Sequence, residues 1–254
     1  LQPELSAFYS CLPKENQTIQ FIPKDVLGYQ WSSCFELKNF WDQMETGIAQ
    51  TTSNQTETST RVREFEQVVG LRMKEDVLPA FGDEIGGYLT DIVTGGLFPI
   101  PQLLLFFRIE DQTKAEDLLG KLLDQPFLVL TQENYSDISI TSVALPLGEQ
   151  LKPSYCFLDR YLLLAIHSQL LKDSITAYND QSLSLRNSED FRAVDFGLTQ
   201  KNRDVQFVKV DKLLEKAAVH RQAKNYLEAF NCYESVIRNS EHFAPKRTAR
   251  EQML

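Results

Sequence analysis

Apolar positions in this chain gather into four strand-length runs, and each run leads into a stretch where apolar residues return with helical spacing. The runs are residues 27–31, 103–109, 161–166 and 205–210; the helical stretches lie around Phe40 and Trp41, then at 115–123, 170–178 and 213–218. Strand side chains alternate between two faces, whereas helical ones return to one face every three or four residues. Leu37, Phe40, Trp41, Met44 and Ile48 form one such helical stripe, and Ala115, Leu118, Leu119, Leu122 and Leu123 form another; both read as core packing. Residues 85–93 predict a strand with Ile85, Gly87, Leu89 and Asp91 on one side and Gly86, Tyr88, Thr90 and Ile92 on the other. The Gly86-Gly87 pair permits a bulge or a close backbone approach there. Residues 136–143 alternate as well, and 154–158 pairs with 161–166 across the Asp159-Arg160 turn. Several strands thus follow one another between helices. The pattern predicts an α+β fold of repeated strand-helix units, a mostly antiparallel sheet with helices packed on one face.

The stretches between these elements mark the expected boundaries. Residues 1–20 read as a polar lead-in, 21–220 as the α+β domain, with two similar halves near 21–130 and 131–220 also compatible, and 221–254 as a helical C-terminal extension. Ser33 to Glu36 and Thr113 to Glu116 fit capping boxes. The polar tract 50–60 reads as a loop, Gly70 as a helix terminator and 74–80 as a short helix. Gly82, Asp83 and Glu84 read as a structural turn, in which Gly82 ends the helix and Asp83 bonds free amides to aim the next strand. The turn-rich connection 94–101 carries Leu97, Phe98 and Ile100, an expected exposed apolar patch. Residues 223–233 look like half of a tetratricopeptide repeat, but no second copy appears, so an amphipathic helix is preferred.

Charge and reactive residues narrow the function classes. A net charge of −9 argues against nucleic-acid and anionic-membrane partners, which attract basic surfaces. No apolar run reaches the ~18–20 residues of a membrane helix. The chain starts at Leu1 without an initiator Met, as expected of a piece of a longer protein, and an upstream anchor is compatible with it. Cys11, Cys34, Cys156 and Cys232 are scattered without Cys-x-x-Cys spacing, which speaks against a zinc ribbon or a thioredoxin-type site and leaves buried thiols, or one disulfide such as Cys11 with Cys34 in an oxidising compartment. His167, His220 and His242 lack a second ligand at helical spacing, so neither metal nor cofactor is expected. Nucleophile elbows, phosphate loops and dinucleotide fingerprints are missing. The carboxylate pairs Asp83/Glu84, Glu110/Asp111 and Glu189/Asp190 fit turns and helix starts better than acid/base chemistry.

One resemblance adds to this. Residues 75–85, Glu-Asp-Val-Leu-Pro-Ala-Phe-Gly-Asp-Glu-Ile, are followed by a strand, a hairpin and Ile109-Glu110-Asp111 with a Lys-Ala-Glu helix. Together with residues 22–29 and 207–213, this resembles a bacterial family catalogued only as domain of unknown function 3352, over most of residues 21–220. The resemblance implies a location outside the cytoplasm, periplasmic or at the cell surface, on a protein with an N-terminal anchor or lipoprotein signal, and it implies no catalytic residue. The expected function is a non-catalytic module of an envelope protein that binds a protein partner or serves as scaffold. Two alternatives stand beside it: a carrier or chaperone for an apolar ligand held between sheet and helices, and a hydrolase with an unrecognised site around Asp83, Glu84 and a neighbouring histidine.

Overall fold

Strand alternation at residues 81–109 builds the centre of a single large sheet. The structure, a computed structural model, describes residues 11–35, 37, 38, 41, 66, 70–93, 100–145, 151–195 and 197–222. The strands are β1 (Lys14–Glu15), β2 (Gly28–Ser32), β3 (Phe81–Val93), β4 (Ile100–Ile109), β5 (Val129–Tyr135), β6 (Ile138–Ala144), β7 (Ser154–Leu158), β8 (Tyr161–Ala165), β9 (Lys201–Asn202) and β10 (Asp204–Val208). The helices are α1 (Gln112–Leu123), α2 (Ser168–Asn179), α3 (Glu189–Ala193) and α4 (Val210–Gln222). Eight strands form one antiparallel sheet in the order β10-β2-β3-β4-β8-β7-β6-β5, and β1 pairs with β9 in a small ribbon. The fold is α+β, as the sequence predicts.

The strand order has an internal regularity. β2-β3-β4 and β6-β7-β8 are two meanders that meet where β4 pairs with β8. After α1 the chain adds β5 beside β6, and after α2 it goes on to add β10 beside β2, so each meander receives its outer strand from the other. The helices do not share this regularity. Leu170, Leu171 and Ile175 of α2 join Trp31, Tyr88, Leu104, Phe106, Ile140 and Leu163 in the main core on the first face. Ala115 of α1 instead packs with Ile109 and Leu162 on the second face, near Tyr155 and Phe157.

The first face is completed by segments that the sequence pattern leaves featureless. Ile19, Phe21, Ile22 and Val26, from the stretch before β2, are all buried, as are Leu185 and Phe191 after α2. Phe106 is the hub of this layer: Phe21 meets it edge-on at 5.3 Å between ring centres, Tyr161 edge-on at 6.0 Å and Tyr29 stacked at 6.4 Å. Its ring lies over Gly86, its cross-strand partner. A Cβ on Gly86 would run into that ring, 2.7 Å from Cε2, and into the backbone carbonyl of Gln30 on the other side.

Several local expectations are corrected. The paired glycines keep regular register, and the irregularities of β3 fall on either side of them, between Phe81 and Ile85 and between Leu89 and Asp91. The second one places Asp91 opposite Gln102 and so shifts its facing relative to simple alternation. α1 starts at Gln112 with Asp111 as its cap, accepting from the Lys114 amide at 3.1 Å, because a short carboxylate reaches that amide directly; Thr113 lies inside the helix. Ser33 caps nothing among the described residues, since its buried hydroxyl lies 3.2 Å from the carbonyls of both Asn202 and Arg203. Gly70 does take a left-handed conformation, φ 70°, and Leu71 N–H closes onto the Glu66 carbonyl. The stripe residues Phe40, Met44 and Ile48, the tract 50–60 and the C-terminal extension from residue 223 onward lie outside the described residues.

Two glycine substitutions test this packing with opposite signs. Gly86→Ala has no open side to expand into and should lose about 2–3 kcal/mol in urea unfolding. Gly120→Ala, on an exposed turn of α1 with nothing within 4 Å of the new methyl, should gain about 0.5–1 kcal/mol.

Candidate functional site

A buried polar constellation is built on the Gly82-Asp83-Glu84 stretch, though not as a turn. All three residues belong to β3, at its first bulge, and Gly82 has no left-handed conformation. The turn expectation fails because the strand begins directly after the short helix Leu78–Ala80, and Gly82 serves a close approach instead. A Cβ there would lie 2.7 Å from Glu110 Oε1 and 3.1 Å from Arg108 Cγ. The bulge sends Asp83 and Glu84 to different partners. Asp83 pairs with Lys14 at 2.5 Å near the surface, tying the N-terminal segment to β3.

Glu84 is buried, with 4% of its surface exposed. Its Oε1 accepts from Arg108 Nη1 at 2.5 Å, and its Oε2 accepts from Tyr161 O–H at 2.8 Å and Trp31 Nε1 at 3.1 Å. Arg108 also pairs with Glu110 at 3.2 Å. Burial, and then the neighbouring Glu84 charge, push the Tyr161 hydroxyl well above the usual phenol range, so it stays a donor. Nearby, Tyr29 is likewise pushed up by burial, and its oxygen is bonded to Asn16 at 2.8 Å and Thr18 at 2.6 Å. This occupies the Asn16 side-chain amide. Three donors thus surround one carboxylate on both oxygens, which fixes a charge rather than presenting it.

Among the described residues no histidine side chain joins this group. His167 bonds Gln102 through Nε2 at the start of α2, and burial holds its pKa below the ordinary value. The side chains of His220 and His242 lie outside the described residues. Cys156 is a buried thiol pushed up to about 12 by burial, which keeps it protonated and unreactive. Glu189 and Asp190 open α3, where Asp190 holds the buried Lys209 ammonium at 2.8 Å. No cluster of three potential metal ligands occurs among the described residues.

A second candidate is apolar and lies on the other side of the sheet. A cavity of about 380 Å³ runs over β10, β2, β3 and β4, lined chiefly by Ile85, Leu89, Leu103, Leu105 and Val208. Gly28 and Gly87 contribute floor without side chains. A Cβ on Gly87 would sit 2.7 Å from the Leu104 carbonyl, so that residue keeps both the sheet regular and the floor open. Of the expected apolar patch, Ile100 begins β4, half-buried, while Leu97 and Phe98 lie outside the described residues. The run Leu103-Leu104-Leu105-Phe106-Phe107 carried the signal for this groove, because a strand apolar at consecutive positions has two apolar faces. A smaller polar hollow of about 310 Å³ adjoins Arg108, Glu110, Gln112, Asp159 and Arg160 at the sheet end; carboxylates and guanidinium groups share its lining, and Arg108 is already paired.

Fold and site define an antiparallel α+β protein with a locked internal ion pair, an apolar groove, and no assembled catalytic group among the described residues. The family model described as a protein of unknown function, DUF3352, matches residues 99–238. That is more than half of the chain, and the chain belongs to this family. The match begins after the Leu-Pro-x-x-Gly-Asp-Glu stretch that carried the resemblance and extends past α4. No curated protein and no solved structure matches the chain. Among the described residues no helix is long and apolar enough to cross a membrane.

Two measurements check the site. Glu84→Gln leaves a partly buried guanidinium short of its charge partner and should cost about 3 kcal/mol in denaturant unfolding. His167 has its pKa lowered in the folded state from 6.5, so the unfolded chain binds its proton first as pH falls. Its contribution is present above pH ~6.5, is lost as pH drops through the lowered folded value, and then levels off. Stability profiles of wild type and His167→Gln should therefore converge at low pH and diverge above it.

Proposed function

We propose that this chain is a non-catalytic module that works outside the cytoplasm, carried on an anchored bacterial envelope protein, where it binds another protein or serves as scaffold. The observation behind this reading is the internal saturation of Glu84: the cluster that most resembles an active site has both oxygens occupied by Arg108, Tyr161 and Trp31. A general acid or base needs an oxygen free to meet a substrate proton, and both oxygens of this carboxylate are bonded within the chain. The compartment is supported by a disulfide joining Cys11 to Cys34, whose Cα atoms are 5.7 Å apart, since such bonds persist mainly in oxidising surroundings. It fastens the N-terminal segment to the residues that follow β2.

The wild-type chain should show no turnover on a panel of ester, peptide and phosphate substrates. Turnover abolished by one carboxylate or serine substitution would overturn the non-catalytic reading. For the compartment, chain exported to the periplasm should resist alkylation at Cys11 and Cys34 until reduced, and Cys34→Ser should lower stability by about 3 kcal/mol. Exported chain with both thiols free would count against it.

The second-face groove favours one further reading, a carrier for an apolar ligand. Its volume of about 380 Å³ falls within the range of small-molecule sites. A fluorescent long-chain fatty acid should bind the wild type and lose most of its affinity for Leu105→Asp, with the melting temperature little changed. Equal binding to both would remove the groove from consideration.

A further inference from the structure

The two outer strands of the sheet are finished differently. β10 has five residues, begins at Asp204, is flanked by Lys201, Arg203 and Lys209, and turns Val205 and Phe207 into the core. β5 has seven residues, none of them proline, glycine, lysine or arginine, and is exposed over residues 129–134. Folded proteins normally blunt a free edge with charge, proline, a bulge or a covering element. β5 has no proline, bulge or covering element among the described residues. Its one charged residue, Glu133, is held by Lys172 of α2 at 2.8 Å. Large apolar side chains gather there too: Phe127 is 75% exposed, Val129 62% and Leu130 43%.

The hairpin fixes which backbone groups are free. Ser136 and Asp137 both have positive φ, 48° and 65°, between the paired Tyr135 and Ile138. This is the two-residue turn whose closing pair exchanges both backbone hydrogen bonds. Counting back by twos, Glu133, Thr131 and Val129 direct their amides to β6. The N–H and C=O groups of Leu130, Gln132 and Asn134 then point out of the sheet.

We propose that β5 is a self-association edge, where a second copy of this chain adds the same strand antiparallel about a two-fold axis at Gln132. In that register Gln132 stands opposite itself and Leu130 opposite Asn134 of the other copy, so every outward backbone group of the three residues finds a partner. Val129 faces Tyr135, a favourable β-branched and aromatic pair, and Thr131 faces Glu133, so no like charges stand directly opposite. A second copy fits this edge better than an unlike partner because the lone carboxylate is already neutralised within each chain, leaving no charge for a foreign strand to read. With a net charge of −9, two copies repel through their acidic surfaces, and this charge-poor edge is where they can approach. The proposal stands apart from the module and groove readings, since the edge pairs or fails to pair whatever the second face holds.

Sedimentation velocity over a concentration series tests it on the whole chain. Wild type should show a monomer-dimer equilibrium. Gln132→Pro removes an outward amide without touching the β6 ladder, and Leu130→Lys places a charge on the edge; each should weaken the dimer about tenfold or more with little change in melting temperature. Should the proline variant melt early, the lysine variant and a cysteine pair carry the test. With Cys232→Ser as background, Gln132→Cys should cross-link two copies on mild oxidation, and Thr131→Cys, which faces Glu133 instead of itself, should not. A wild type that stays monomeric at its highest soluble concentration overturns the proposal and leaves the edge to an unlike partner. A dimer unaffected by Leu130→Lys, or equal cross-linking at 131 and 132, overturns it as well.

Discussion

The first face depends on the space left by Gly86. Because that residue has no side chain, the Phe106 ring of the next strand can lie across it, and Phe21, Tyr29 and Tyr161 then pack around the ring. Each contact brings in a different part of the chain: Phe21 the N-terminal segment, Tyr29 the neighbouring strand, Tyr161 the second meander. The Gln30 carbonyl limits the same space from the other side, so the position is squeezed between a ring and a backbone. Relaxation around a new methyl would have to move a strand. Interiors packed to this density respond to volume changes by strain instead of flow.

The buried ion pair is a consequence of the same packing. Once Phe106 has placed Tyr161 on the first face, the bulge in β3 delivers Glu84 beneath Tyr161 and Trp31, with Arg108 from β4 closing the cluster. Burying a carboxylate is unfavourable unless its lone pairs are met, and here three donors meet them. The pair adds little net stability compared with an apolar replacement, but a β3 register shifted by one residue would strand the charge without donors. We therefore regard Glu84 as a device that selects the register of β3 against β4. This explains why a residue type suggestive of chemistry sits buried among donors.

How far the sequence reveals this fold depends on the element. Strands with consecutive apolar residues, β4 and β8, and the helices α1 and α2 with clear stripes are legible, because period and composition agree there. β5 is not, since Thr131-Gln132-Glu133-Asn134 is a polar run with no inward side, and its strand conformation is imposed by pairing with β6. The lead-in, residues 1–20, reads as polar, yet contributes Ile19 to the core; isolated apolar residues in irregular segments have no period to betray them. The Asp83/Glu84 pair is visible as two adjacent carboxylates, but their separate fates are not. Which one is buried depends on a bulge, and a bulge is a property of two strands, not of one. The Cys11–Cys34 bond joins residues 23 apart, a pairing that spacing alone permits without selecting.

The two faces of the sheet thus differ in kind, and the difference bears on what this protein can do. On the first face the buried polar groups Glu84, Tyr29 and Tyr88 are paired and the apolar side chains around Phe106 are packed. On the second face Leu103, Leu105, Ile85 and Leu89 line an apolar groove whose glycine floor leaves room for an occupant. Binding driven by such a surface is largely non-directional, scales with the area covered, and needs few polar contacts for orientation. Catalysis demands the reverse: directional, incompletely satisfied groups held at fixed distances. Among the described residues the buried carboxylate is bonded internally by three donors, while the apolar side chains over the glycine floor are left open to an occupant.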